Sequence, residues 1–106
     1  MIFDDWREKD IKNISRSLLW EYDLNNFDWN DMKVVVMQRV IERGWMDDFY
    51  AAINIYGGID KVREIIKNIP VLSEKDMNFV CAIFKLKKED LKCYTRKQLR
   101  EQLLSS

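Results

Sequence analysis

The strongest run of helical periodicity in this chain lies between Asp28 and Gly44. At 100° per residue, Trp29, Met32, Val36 and Val40 fall along one arc of a helix, and Val34, Met37 and Ile41 along a nearly adjacent one. Asp31, Gln38, Arg39 and Glu42 share the narrow remainder. A helix that is apolar over more than half its circumference packs against other helices on two sides. The pattern therefore predicts a central buried helix over about 28–44. Asp28 suits its N-cap, and Gly44 suits a left-handed C-terminal stop.

The same period organises the flanks. Ile11, Ile14, Leu18 and Tyr22, thickened by Leu19 and Trp20, predict a helix from Asp10 to about Tyr22. Asp23, Asn25 and Asn26 then compete with helical backbone through their own side chains, which predicts a loop. After Gly44, the stripe Trp45, Phe49, Ala52, Ile53 and Tyr56 predicts a helix that Gly57 and Gly58 end. Ile59, Val62, Ile66 and Ile69, with Ile65 beside them, predict its hairpin partner, stopped by Pro70. Ser73 with Asp76 reads as a cap before Met77, Val80, Cys81 and Phe84, and Leu86 to Leu91 as a single turn. Thr95 with Gln98 reads as the cap of a last helix carrying Leu99 and Leu103. No stretch of four or more residues alternates as a half-buried strand does. The expectation is all-α: a compact bundle of five to seven short helices around the central one, forming a single helical domain over 10–106. Residues 1–9, with Phe3 and Trp6, read as a loose arm or a short helical lead-in.

Charge adds a polarity to this picture. The chain is neutral overall, yet residues 1–31 carry eight acids against four bases and residues 85–106 seven bases against three acids. The two ends either attract one another in the fold or serve different partners. The first residues place acids where a secretion signal places bases and an apolar run. The longest uncharged run, Phe49 to Ile59, is too short for a membrane span. A cytoplasmic protein with no membrane contact is expected.

Candidate chemistry is sparse. Histidine is absent, which removes the usual neutral-pH proton shuttle. Cys81 and Cys93 lack the spacing of a redox or zinc pair. Cys81 lies on an apolar stripe and reads as a core residue. Cys93, between Lys92 and Tyr94, has basic neighbours of the kind that lower a thiol pKa, but no partner base. Glu42, Asp47 and Asp48 cluster around the Gly44 turn without the spacing of a calcium loop, and read as acids near helix starts. Gly57-Gly58 is a helix stop, not a phosphate cradle. The expectation is a protein that is not an enzyme, with no catalytic, metal or cofactor residues.

Two clusters remain as contact surfaces. Arg39, Glu42 and Arg43 form a charged ridge on an otherwise apolar helix, which either pairs with internal acids such as Glu21 or Asp23 or faces a partner. Tyr94, Arg96, Lys97 and Arg100 gather near the start of the last helix, where phosphate contact is the alternative to a solvated face.

The order and spacing of several short segments resemble a family of short bacterial proteins known as a domain of unknown function. They are Leu19-Trp20-Glu21 with Asp23; Phe27-Asp28; Arg39-Val40-Ile41-Glu42-Arg43-Gly44; Asp48; Tyr56-Gly57; Leu72-Ser73 with Lys75; Asn78-Phe79 with Cys81 and Phe84; and Cys93-Tyr94-Thr95-Arg96-Lys97-Gln98. The resemblance implies a small helical partner encoded beside nucleotidyltransferase-like toxins, acting as an antitoxin or accessory subunit. It supplies no catalytic residues. Two functions are therefore carried forward: a non-enzymatic helical protein-interaction module, and a nucleic-acid-binding regulator that uses the basic C-terminal helix. The many aromatics favour the first, since such side chains anchor interfaces.

Overall fold

A computed structural model describes residues 3–105, with the side chains of Lys97, Gln98, Glu101, Leu104 and Ser105 outside the described set. Six α-helices follow in order: α1 (Trp6–Lys9), α2 (Lys33–Arg43), α3 (Met46–Tyr56), α4 (Ile59–Lys67), α5 (Glu74–Phe84) and α6 (Lys92–Ser105). Three short 3₁₀ turns, Arg16–Leu19, Leu24–Asn26 and Lys88–Asp90, lie between them, and no strand occurs among the described residues. The expected all-α class holds.

The central helix is α2, which packs against α3, α4, α5 and the Arg16–Leu19 turn. Val36, Met37, Val40 and Ile41 are its buried residues. Its ends differ from expectation. Asp28 does cap, accepting the N–H groups of Asn30 and Asp31 at 3.1 Å, but it caps a preceding turn, and the helix proper begins at Lys33. Gly44 is extended (φ −79°, ψ 163°), not left-handed. Glycine is needed there for space: a Cβ would lie 2.6 Å from the Val40 carbonyl oxygen and 3.2 Å from the Asp48 Cβ. Gly57 does adopt the left-handed geometry, at φ 91°, and ends α3 by donating its N–H to Ile53 O.

The helix expected over Asp10–Tyr22 does not form. Residues 11–15 run without regular structure into the 3₁₀ turn, because their backbone groups bond elsewhere. Ile11 O accepts from Asn54 Nδ2 at 3.0 Å, and the Ser15 N–H donates to Asp48. Ile14, Leu18 and Leu19 still reach the core, whereas Trp20 points outward, 75% exposed. Upstream, Phe3 is fully buried. Its ring stacks on Phe49 and Phe84 with centroids 5.3 and 5.7 Å away and meets Tyr50 edge-on. The Tyr50 hydroxyl donates to Asp5 at 2.6 Å, so α1 and its lead-in are held against α3.

In the C-terminal half, Ser73 accepts the Asp76 N–H at 3.1 Å, the expected cap of α5. Leu86–Leu91 contains the expected single turn. The last helix starts three residues earlier than its presumed cap: Thr95 lies inside α6 and its hydroxyl donates back to Leu91 O at 3.3 Å.

Candidate functional site

The corner between α2 and α3 is where a tight backbone and an outward-facing surface coincide. Asp48, in the first turn of α3, is 1% exposed. Its carboxylate accepts the Ser15 N–H at 2.7 Å and the Ser15 hydroxyl at 2.8 Å on Oδ1, and the Trp45 N–H at 2.9 Å on Oδ2. One side chain thus caps α3 and clasps a segment 33 residues upstream in sequence. Burying a carboxylate is costly unless its oxygens receive hydrogen bonds, and here both do. The close fit of Gly44 against Val40 completes the rigid corner.

What this corner presents is an aromatic and charged knuckle. Glu42, Arg43, Trp45, Met46 and Asp47 are all exposed. Trp45 was expected on the inner stripe of α3, but it precedes the helix in extended geometry and is 78% exposed, with Met46 at 46%. Phe79 of α5, itself partly exposed, leans on Phe49 with ring centroids 5.8 Å apart.

The charged ridge of the central helix divides. Arg39 turns inward and bonds the Glu21 carboxylate through Nη1, which also donates to Leu18 O at 2.9 Å. That is the internal-acid alternative, with Glu21 supplied by the turn after Leu19. Glu42 and Arg43 instead face outward beside Trp45. Glu42, Asp47 and Asp48 do not converge, since Asp48 is buried and bonded internally while the other two are exposed. Among the described residues no group of three metal-ligating side chains comes together.

The basic cluster lies on α6. Arg96 and Arg100 are exposed and Tyr94 is half-buried, while the Lys97 side chain lies outside the described residues. Arg96 and Lys92 share a shallow hollow with Glu89 and Asp90, so the positive surface there is mixed with acids. Cys93 is buried, and burial pushes its thiol up, the opposite of the lowered pKa its basic sequence neighbours suggested. Burial raises the half-buried Cys81 thiol as well. The basic side chains near Cys93 in sequence point to solvent, and their field is screened there.

Asp48 is an acid at a helix start, as the sequence suggests; its bonds to Ser15 and the exposure of Trp45 are what sequence reasoning missed. The signal for Asp48 was its position three residues after Trp45, which matches the acid of a capping box; nothing local marked Ser15 as its second partner. A family model, that of a family of unknown function (DUF6922), matches residues 14–66, half of the chain. That span contains Ser15, Asp48 and the whole α2–α3 corner. No curated protein and no solved structure matches the chain.

Proposed function

The chain belongs to the DUF6922 family, and we propose that it works as a protein-interaction module whose contact surface is the α2–α3 corner. The observation that carries this reading is Trp45, 78% exposed on a backbone fixed by Asp48. Exposed tryptophan is costly to solvate and is the residue type most enriched among interface hot spots. Its sequence neighbours Glu42, Arg43, Met46 and Asp47 are exposed as well, which makes charged groups available around an apolar anchor. Rigidity favours binding, because little conformational freedom is lost when the partner docks. The resemblance described above supplies a partner class: a nucleotidyltransferase-like toxin encoded beside this chain, for which it would serve as antitoxin or accessory subunit.

The test is co-expression with the neighbouring open reading frame and purification on a tag carried by this chain. A stoichiometric complex is expected, weakened at least about tenfold by Trp45→Ala or Arg43→Glu, in the range of hot-spot substitutions. A neighbour that never copurifies, or that binds Trp45→Ala as well as wild type, contradicts the proposal. The rival reading, nucleic-acid binding by α6, rests on exposed Arg96 and Arg100. It predicts salt-sensitive binding that falls when both become Ala.

A further inference from the structure

A second surface lies along the other end of α2. An open groove of 560 Å³ runs between the start of α2 and the flank of α4, lined by Asn30, Lys33, Val34, Tyr56, Lys61 and Ile65, together with Glu64 and Asn68. Part of its lining is apolar. Ile65 is buried, Val34 is half-buried, and the Tyr56 hydroxyl is already committed, donating to Trp29 O at 2.8 Å. The charged lining residues are unequal in their freedom. Glu64 is engaged by Lys67 at 3.1 Å, and Asn68 Nδ2 donates to the Glu64 carbonyl at 2.9 Å. Lys33 and Lys61, one on each helix, are exposed, and neither has a side-chain partner among the described residues.

We infer that this groove binds an acidic segment of a protein partner, one with an apolar side chain set between carboxylates. The ammonium groups come from two different helices, Lys33 on α2 and Lys61 on α4, and call for negative charge at more than one place along the occupant, while Val34, Ile65 and Tyr56 take an apolar group. An open groove covers too little of a small molecule to hold it, whereas a chain segment gains from its length. A nucleic-acid backbone fits less well. It offers no apolar group between successive phosphates, and the groove holds no arginine and has Glu64 in its lining. The inference rests on the interaction-module reading and adds a second contact with its own chemistry, on a face distinct from Trp45.

The experiment uses the whole chain, isotopically labelled, titrated with three probes: a short peptide with leucine flanked by glutamates, the same peptide with lysines in place of the glutamates, and a single-stranded oligonucleotide. The acidic peptide is expected to shift the backbone amides of Lys33, Val34, Lys61 and Ile65, with affinity falling as salt rises. Lys33→Glu combined with Lys61→Glu should weaken it at least about tenfold, both sites being exposed and so tolerant of substitution. The inference is overturned if the acidic peptide leaves these amides unmoved at millimolar concentration, if the lysine peptide does as well, if the double variant binds unchanged, or if the oligonucleotide alone occupies the groove. Trp45→Ala separates this inference from the corner proposal. It should weaken binding of the neighbour at least about tenfold while leaving the peptide shifts intact, so either one can fail without the other.

Discussion

Asp48→Ala removes a buried carboxylate that receives hydrogen bonds from two elements, and its cost can be worked from their partners. The bonds from Ser15 N–H at 2.7 Å and Ser15 Oγ at 2.8 Å go to a charged acceptor, for which about 1.5–3 kcal/mol is typical per bond. The bond from Trp45 N–H at 2.9 Å is a helix cap, commonly worth about 1 kcal/mol. Water can reach Trp45 and part of Ser15 once the side chain is gone, so the sum is discounted to about 3–4 kcal/mol. Against a domain stability of about 5–15 kcal/mol, that is a large fraction. Urea unfolding followed by far-UV circular dichroism should show the midpoint falling by about 2–3 M. Ser15→Ala, which loses only the hydroxyl, should cost about 1–1.5 kcal/mol. The pair should be coupled by about 1 kcal/mol, since the second substitution removes a bond already broken. An Asp48→Ala protein within about 1 kcal/mol of wild type, or strict additivity with Ser15→Ala, would refute the clasp.

Other substitutions probe neighbouring claims. Gly44→Ala should destabilise by about 2 kcal/mol or more, because its Cβ meets Val40 O at 2.6 Å. Gly57→Ala, where nothing lies within 4 Å and only the left-handed backbone objects, should cost about 1 kcal/mol; a reversed order in denaturant titration would contradict both readings. Phe3→Ala should lose about 3–4 kcal/mol by emptying the stack on Phe49 and Phe84, and a neutral result would show residues 3–9 to be dispensable to the core. Burial raises the Cys93 thiol from its ordinary 9.0, so the unfolded chain ionises first as pH rises. Its stabilising contribution is complete below pH 9 and is lost above it, and Cys93→Ala should flatten the decline of stability measured across that window.

Much of the architecture could be read from periodicity alone, and the reason is visible in α3 and α4. The buried Val62, Ile65 and Ile66 of α4 recur at helical spacing, and α3 ends at the left-handed Gly57, so local pattern and tertiary packing agree there. The 10–22 segment shows where that agreement breaks. Ile14 and Leu18 are spaced as in a helix and are buried as predicted, yet the Ser15 N–H donates to Asp48 and the Ile11 carbonyl accepts from Asn54, partners far away in sequence. Lys85 is a similar case: it ends α5 in left-handed geometry at φ 55° without a glycine to announce it. The ridge of Arg39, Glu42 and Arg43 was legible as charge but not as direction. Only the position of Glu21 decides that Arg39 turns inward and leaves the other two beside Trp45. Trp45 itself looked like a core residue because spacing cannot distinguish the first inward position of a helix from the extended residue before it.

The most direct measurement is the affinity of the purified neighbour for wild type and for Trp45→Ala, with unfolding of both chains recorded in parallel. We expect Trp45→Ala to fold with a stability within about 0.5 kcal/mol of wild type, since the side chain is largely exposed, and to lose at least about tenfold in binding. Equal affinities for two equally stable proteins would contradict the corner as the contact surface and would move the search to α6.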